Sequence, residues 1–245
     1  MTVTTATEGK IRLITLRRPE VRNAMNRAMA DALDAALREF DTDPALVVAV
    51  LTGASGTFCS GMDLKAFATE GIPTVADRGL GGLTRAHLTK PVIAAVEGHA
   101  VAGGCELALA CDLIVAARDA NFGLPEVRRG LVAGEGGALR LPRRLPHHIA
   151  MEHLLTGDPL PATDAAHHGL VNRLTDNGQA LPVALHLAQR IAENAPLALT
   201  ATKAIAHTST FAEQDPHYHH VSASRDAKEG STAFTEKRPP VWLGA

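Results

Sequence analysis

Pro91-Val92-Ile93-Ala94-Ala95-Val96-Glu97-Gly98-His99-Ala100-Val101-Ala102-Gly103-Gly104-Cys105-Glu106-Leu107-Ala108 is the stretch on which the fold turns. Its first six residues form an apolar run of strand length, and Gly98 punctuates it. A helix is expected from about Gly104 to Ala110, followed by a strand at Leu113-Ile114-Val115-Ala116. A fully apolar strand that feeds a helix and then another apolar strand is the pattern of a buried parallel sheet. Upstream, Ile11 to Leu16 and Val47 to Thr52 read as two more buried strands. Between them Asn26 is a good N-cap for a helix from Arg27 to Phe40, in which Met29, Leu33, Ala36, Leu37 and Phe40 recur at helical spacing before Asp43-Pro44. Strand, helix, strand within about forty residues is a crossover unit, so the first 120 residues are expected to form a wound α/β core. From Glu135 onward the pattern is helical, with helices expected over Ala138–Arg144, Ile149–Thr156, Ala162–His168, Leu181–Asn194 and Leu197–Ala206. A polar, helix-like tail follows from Ala212 to Phe234.

The chain has 245 residues, is 46% hydrophobic and has a formal net charge of −2. That length and composition fit a globular protein with one large core. Mixed charges give no basic face for nucleic acid and no polybasic run for a membrane surface, so small molecules are the expected partners. No apolar run approaches the ~20 residues that span a bilayer, and the start Met1-Thr2-Val3-Thr4-Thr5 lacks a signal-peptide layout, which places the protein in the cytoplasm. Cys59, Cys105 and Cys111 have no metal or disulfide spacing and are expected to be reduced core thiols. The histidine pairs His147-His148 and His167-His168 and the run His217-Tyr218-His219-His220 put neighbouring rings on different helix faces, and metal binding is not expected.

Candidate chemistry collects in three places. Gly103 and Gly104 let the main chain approach a ligand at a helix start, where free N–H groups favour negative charge, although Gly-Gly before an apolar helix also serves plain packing. Glu106 stands on that first turn, and Glu126 follows twenty residues later in Gly123-Leu124-Pro125-Glu126. The loop Gly56-Thr57-Phe58-Cys59-Ser60-Gly61-Met62-Asp63-Leu64 follows another apolar strand and offers a second inward amide. Two amides and two carboxylates suit acid–base chemistry on a carbonyl compound whose oxygen gains charge.

Phe58-Cys59-Ser60-Gly61-Met62-Asp63-Leu64, Lys90 to Gly98, Ala102 to Ala108 and Phe122 to Val127 resemble the successive signatures of the enoyl-CoA hydratase/isomerase (crotonase) superfamily. Arg18-Pro19, Asn23-Ala24-Met25, Leu155-Thr156-Gly157, Gly169-Leu170-Val171 and Ala233 to Arg238 agree with it, so the likeness spans nearly the whole chain. The resemblance implies a ββα superhelix (spiral) core over residues 1–190 that carries the CoA and active sites. A C-terminal helical trimerisation region over 191–245 would pack on the core or a neighbouring subunit, giving a homotrimer or a hexamer of two trimers. It implies an acyl-CoA thioester substrate and no separate cofactor, coenzyme A being part of the substrate. The N–H groups of Ser60 and Gly103 would form the oxyanion hole, with Glu106 and Glu126 as the acid–base pair. Val21, Arg22, Gly61, Met62, Asp63, Lys65, Phe234 and Lys237, together with Ser60 and Gly103, would line the CoA site. With both glutamates present, hydration of a trans-2-enoyl-CoA is the leading reaction. An isomerase, a carnitinyl-CoA dehydratase-like enzyme and a non-catalytic acyl-CoA-binding protein are the alternatives.

Glu135, in Gly134-Glu135-Gly136-Gly137, departs from the family pattern, which has a small apolar residue there. An outward-facing carboxylate at a helix N-terminus is the expected arrangement, the other being an inward carboxylate that raises the pKa of Glu106 and Glu126. The segment from Ala66 to His87, where the family shapes its acyl pocket, follows no fixed pattern, so acyl-chain length is unreadable.

Overall fold

A computed structural model describes residues 1–245. Strands β1 (Val3–Glu8), β2 (Ile11–Leu16), β3 (Val48–Gly53), β4 (Val92–Val96), β6 (Leu113–Ala117) and β9 (Arg173–Thr175) form a six-stranded sheet in the order β1-β2-β3-β4-β6-β9. Only the β1–β2 hairpin, closed by Gly9-Lys10, is antiparallel; the other four pairings are parallel. A smaller sheet of β5 (His99–Val101), β7 (Asn121–Gly123) and β8 (Leu160–Pro161) lies beside it in the order β5-β7-β8, and a bridge from Cys59 to Ala100 extends it toward the Ser60 loop. Strand β4 thus leads to β5 and then helix α3 (Gly103–Ala110), and β6 leads to β7 and then the short turn Pro125–Arg129. Strand of the large sheet, strand of the small sheet, helix: this is the ββα repeat, wound into a mixed α/β spiral.

Burial explains why the sheet holds. Residues pointing to one face, among them Ile14, Leu16, Ala49, Leu51, Ala94 and Val96, join the main core with helix α1 (Arg27–Thr42), which buries Met29, Leu33, Leu37 and Phe40. Asn26 caps α1 by accepting a hydrogen bond from the N–H of Met29. Alternate residues Ile11, Val48, Val50, Ile93, Ala95 and Val115 point the other way, against Ala180, Ala184 and Ala188 of helix α7 (Ala180–Ala192). Both faces are covered, as a parallel sheet requires.

Helix α2 (Leu64–Glu70) follows the Ser60 loop, and α4 (Gly137–Arg144), α5 (His147–Thr156) and α6 (Ala162–His167) precede α7. The expectation of an all-helical region after Glu135 is corrected by β8 and β9, which are two and three residues long and too short to leave an apolar period. The tail is three helices, α8 (Pro196–Ile205), α9 (Phe211–Ser222) and α10 (Arg225–Glu236). Ser224 ends the helix-like run from Ala212 by capping α10, its side chain accepting from the N–H of Ala227. No helix is long and apolar enough to cross a membrane. All three cysteines are free and buried.

Candidate active site

The two glycines at the start of α3 do different work. A side chain on Gly104 would lie 2.0 Å from the carbonyl oxygen of Cys59, so this glycine serves packing. Gly103 is the first residue of α3, where an N–H precedes the helix's own hydrogen-bond ladder. Ala102 before it is held at φ 52° and ψ −126°, a costly conformation for a residue with a side chain, and that bend sets where the Gly103 amide points. A Cβ on Gly103 would meet Leu80 Cδ2 at 2.5 Å, Gly61 Cα at 3.6 Å and Met62 N at 3.7 Å. The two amide-bearing loops expected from the sequence therefore do converge.

Ser60, however, does not offer its amide. Its N–H donates to the carbonyl of Arg22 at 3.1 Å, and its hydroxyl donates to the carbonyl of Val21 at 3.2 Å. Gly61, at φ 92°, reverses the chain, and its own N–H meets Cys59 Sγ at 3.4 Å. The N–H of Met62, beside Gly103, makes no hydrogen bond. The free pair of amides is Met62 and Gly103, which corrects the expected pair of Ser60 and Gly103. Sequence alone hid this, because the residue that turns the amide inward is the one after the permissive glycine.

The carboxylates are built differently. Glu106 is 3% exposed, and its Oε1 accepts hydrogen bonds from the N–H groups of Glu135 (2.8 Å) and Gly137 (3.0 Å). Burial, with the nearby Glu126 and Glu135 charges, pushes its pKa up to about 7 against the pull of those two amides. Glu126 sits in the Pro125–Arg129 turn, and its pKa is also raised by burial, partly offset by its own backbone N–H and by Arg129. Its Oε2 is buried with no partner. Buried acceptors are nearly always hydrogen-bonded, so this oxygen is suited to a donor from a ligand. Neither glutamate is in an ion pair: Arg128 pairs with Asp158, and Arg140 donates to the carbonyls of Glu135 and Thr84.

Glu135 overturns the expected outward orientation. Its Oε2 accepts from the N–H of Leu80 (3.0 Å) and the hydroxyl of Thr84 (2.7 Å), and its Oε1 accepts from Arg85 (2.7 Å). Gly136 at φ 105°, not Glu135, is the residue before α4, so the carboxylate is free to turn back onto the 79–85 loop.

Of the expected CoA-site residues, Val21, Arg22, Ser60, Gly61, Met62, Asp63 and Lys65 are brought together. Asp63 caps α2 through the N–H groups of Lys65 and Ala66 and pairs with Arg18 at 3.0 Å. Lys65 is exposed on the first turn of α2. Phe234 lies on α10, and Lys237 is the residue that ends that helix. Phe234 is 87% exposed on α10 and borders a cavity of about 570 Å³ that Leu197, Val221 and Trp242 also line.

An enoyl-CoA hydratase/isomerase family model matches residues 6–245. The chain belongs to the enoyl-CoA hydratase/isomerase family. It is 44% identical over 252 residues to a carnitinyl-CoA dehydratase of Salmonella typhi, covering 96% of each chain. The crystal structure of enoyl-CoA hydratase from Mycobacterium tuberculosis H37Rv matches with a TM-score of 0.96 at 52% identity, over 100% of this chain and 99% of that one. Carnitinyl-CoA hydratase from Mycobacterium avium matches at 42% identity with a TM-score of 0.82, over 100% of this chain and 99% of that one. The family is enzymatic, of lyase type, and this member has the crotonase fold.

Proposed function

We propose that the chain adds water to a trans-2-enoyl-CoA to give a 3-hydroxyacyl-CoA. The observation that carries this reading is a pair of free amides, Met62 and Gly103, in the same fold as two carboxyls raised by burial, the buried Glu106 and the half-buried Glu126. The thioester oxygen accepts from the two amides. Water oxygen bonds to C3 as one carboxylate takes its proton, the C2=C3 electrons move onto the thioester oxygen, and the other, protonated glutamate returns a proton to C2. Hydration needs a base and an acid at once, and a pair that keeps a proton near neutral pH supplies both. Each amide that meets the developing oxyanion is worth about 3 kcal/mol. Arg22 and Lys65 bring positive charge to the CoA end.

Identity to carnitinyl-CoA dehydratase favours a second reading, the reverse reaction on a thioester bearing a quaternary ammonium. Aromatic faces are what bind such a cation. The 66–87 segment has one aromatic side chain besides His87, Phe67, so uncharged enoyl chains come first.

The test is loss of conjugated thioester absorbance with crotonyl-CoA and a longer trans-2-enoyl-CoA, alongside dehydration of carnitinyl-CoA. Conversion of the first two supports hydration; conversion of carnitinyl-CoA alone moves the assignment to the dehydratase. Tight thioester binding with no conversion of any of them means an acyl-CoA-binding protein. Assembly into a homotrimer or hexamer in the cytoplasm is part of the proposal. It is supported by the exposed Phe211, Tyr218 and Phe234 of the tail and checked by sedimentation.

A further inference from the structure

Glu135 lies where two independent pieces of the site meet. Its amide donates to Glu106 Oε1 at 2.8 Å, so its main chain is half of the clamp on that carboxylate. Its side chain carries the opposite connection, accepting from Leu80 N–H, the Thr84 hydroxyl and Arg85. Leu80 in turn packs on Gly103, whose missing side chain leaves room for Leu80 Cδ2. The loop from 79 to 85 leaves no slack around this carboxylate. Gly79 has φ 74°, and a Cβ there would meet Thr84 Oγ1 at 2.4 Å and Glu135 Oε2 at 2.5 Å; Leu80 and Thr84 are buried. A second carboxylate, Asp34, grips the same loop from α1 through Arg78 at 2.5 Å.

We propose that Glu135 is a positioning residue that fixes, through one side chain and its own amide, both the orientation of Glu106 and the Leu80 wall against the Gly103 amide. A small apolar residue at this position would keep the clamp amide but release the loop. The proposal rests on the reading of Met62, Gly103, Glu106 and Glu126 as the catalytic set. Glu106 faces Glu126 from the Pro125–Arg129 turn, Glu135 from the loop before α4, Arg140 of α4 and the neighbouring thiol of Cys105. Glu135 itself faces Arg85 and Arg140. Its charge therefore acts on Glu106 as well as its geometry.

The experiment compares Glu135→Ala and Glu135→Gln in the full chain by amide hydrogen exchange and by crotonyl-CoA hydration across pH. In Glu135→Ala the amides of Leu80 and Gly137 exchange at least about tenfold faster as the bonds to them loosen. Turnover falls about ten- to a hundredfold in kcat, KM stays within about twofold, and Glu106 loses its fixed aim. Glu135→Gln keeps acceptors for Leu80 and Thr84, so exchange returns near wild type and most of kcat is recovered. The pH limb assigned to Glu106 moves to lower pH, because a neighbouring negative charge is gone. Unchanged exchange at Leu80 and Gly137 in Glu135→Ala overturns the proposal, as does an equal kcat loss in both variants with no movement of the pH limb. If wild-type protein hydrates no enoyl-CoA, the functional reading fails on its own, and the exchange data still decide whether Glu135 holds the loop and the clamp.

Discussion

The sheet-bound region that carries Glu106 and the helical tail after residue 195 hold their shape in different ways. Around Glu106 every residue of α3 from Gly103 to Leu109 is buried, and its hydrogen-bond partners come from the loop before α4 and the first residue of α4. In the tail, α8 and α9 bury no residue, and α10 buries Asp226 and Ala233. Polar contacts hold it instead: Asp226 accepts from the N–H groups of Leu243 and Gly244, Arg225 and Asp226 N–H groups donate to the carbonyl of Ala245, and Lys203 of α8 pairs with Asp112 at 2.8 Å. Chemistry that needs fixed geometry and altered pKa values belongs in the first setting, because burial and neighbouring like charges move a carboxyl toward neutrality there. The tail, with its cavity and the exposed Phe211, Tyr218 and Phe234, offers the apolar surface that the proposed assembly would cover.

The largest effect is expected where the contrast is sharpest. Replacing either Glu106 or Glu126 with Gln keeps volume and removes the proton, and hydration is expected to fall by about 10²–10⁴-fold while thioester binding persists. Measuring kcat and thioester affinity for both variants checks it; activity surviving in either one breaks the assignment of chemistry to this region. Next comes Gly104→Ala. Its new Cβ would stand 2.0 Å from the carbonyl oxygen of Cys59, a backbone atom that cannot swing away, so α3 must shift. A loss of about 3 kcal/mol in chemical unfolding is the expected result, the upper end for overpacking a core. A tail glycine offers the control: at Gly230 an added Cβ meets Trp242 at 3.4 Å, ordinary contact at the edge of a cavity, and Gly230→Ala is expected to be near neutral.

How far each region could be read in advance follows the same division. Strands β3, β4 and β6 were legible because an unbroken apolar run bounded by polar or Gly/Pro punctuation has few other uses, β2 because its apolar and β-branched residues alternate with Arg12 and Thr15, and α1 because Asn26 and a 3.6-residue apolar period agree. β5, β7, β8 and β9, of two or three residues, were not, since so short a segment has no period and is fixed by pairing with distant partners. The site divides likewise. Gly103, Glu106 and Glu126 stood out by type and spacing. Which amide of Ser60-Gly61-Met62 turns inward depended on a φ of 92° at Gly61, and where Glu135 points depended on a loop fifty residues upstream. Neither is written in a window of ten residues.

Acid and alkali are expected to act on opposite regions. Glu106 has its folded pKa raised from an ordinary 4.5 to about 7. The folded state therefore holds an extra proton between those values, and the stability linked to Glu106 is complete below about 4.5 and lost as pH rises through about 7. In the tail the signs reverse. Glu229 is lowered to about 2 by its hydrogen bonds from Arg238 and Val241, and Glu213 is lowered by those from Ser209 and Thr210. Their contribution is present at neutral pH and lost as pH falls through the folded values. Hydrogen exchange resolved along the chain at pH 4 and pH 8 checks this: tail amides are expected to lose protection in acid and the α3 amides in mild alkali, and a uniform response of both regions breaks the contrast.

The smallest effect sits at the start of α9. Thr210 accepts from the N–H of Glu213, and Glu213 reaches back to the N–H of Thr210, a reciprocal cap. With no buried residue in α9 to hold the helix from below, this cap and the contacts with α8 define where it begins. Thr210→Ala is expected to cost about 1 kcal/mol, the usual size for losing such a cap. Because the loss is local, it should appear as fraying of Phe211 to Glu213 in hydrogen exchange, with little change in the midpoint for unfolding the sheet and none in hydration kinetics. If Thr210→Ala instead lowers kcat, the tail is coupled to the carboxylates through an assembled partner, and that coupling can be separated from fraying by repeating the assay across protein concentration. A kcat that recovers at high concentration marks assembly as the link between the two regions.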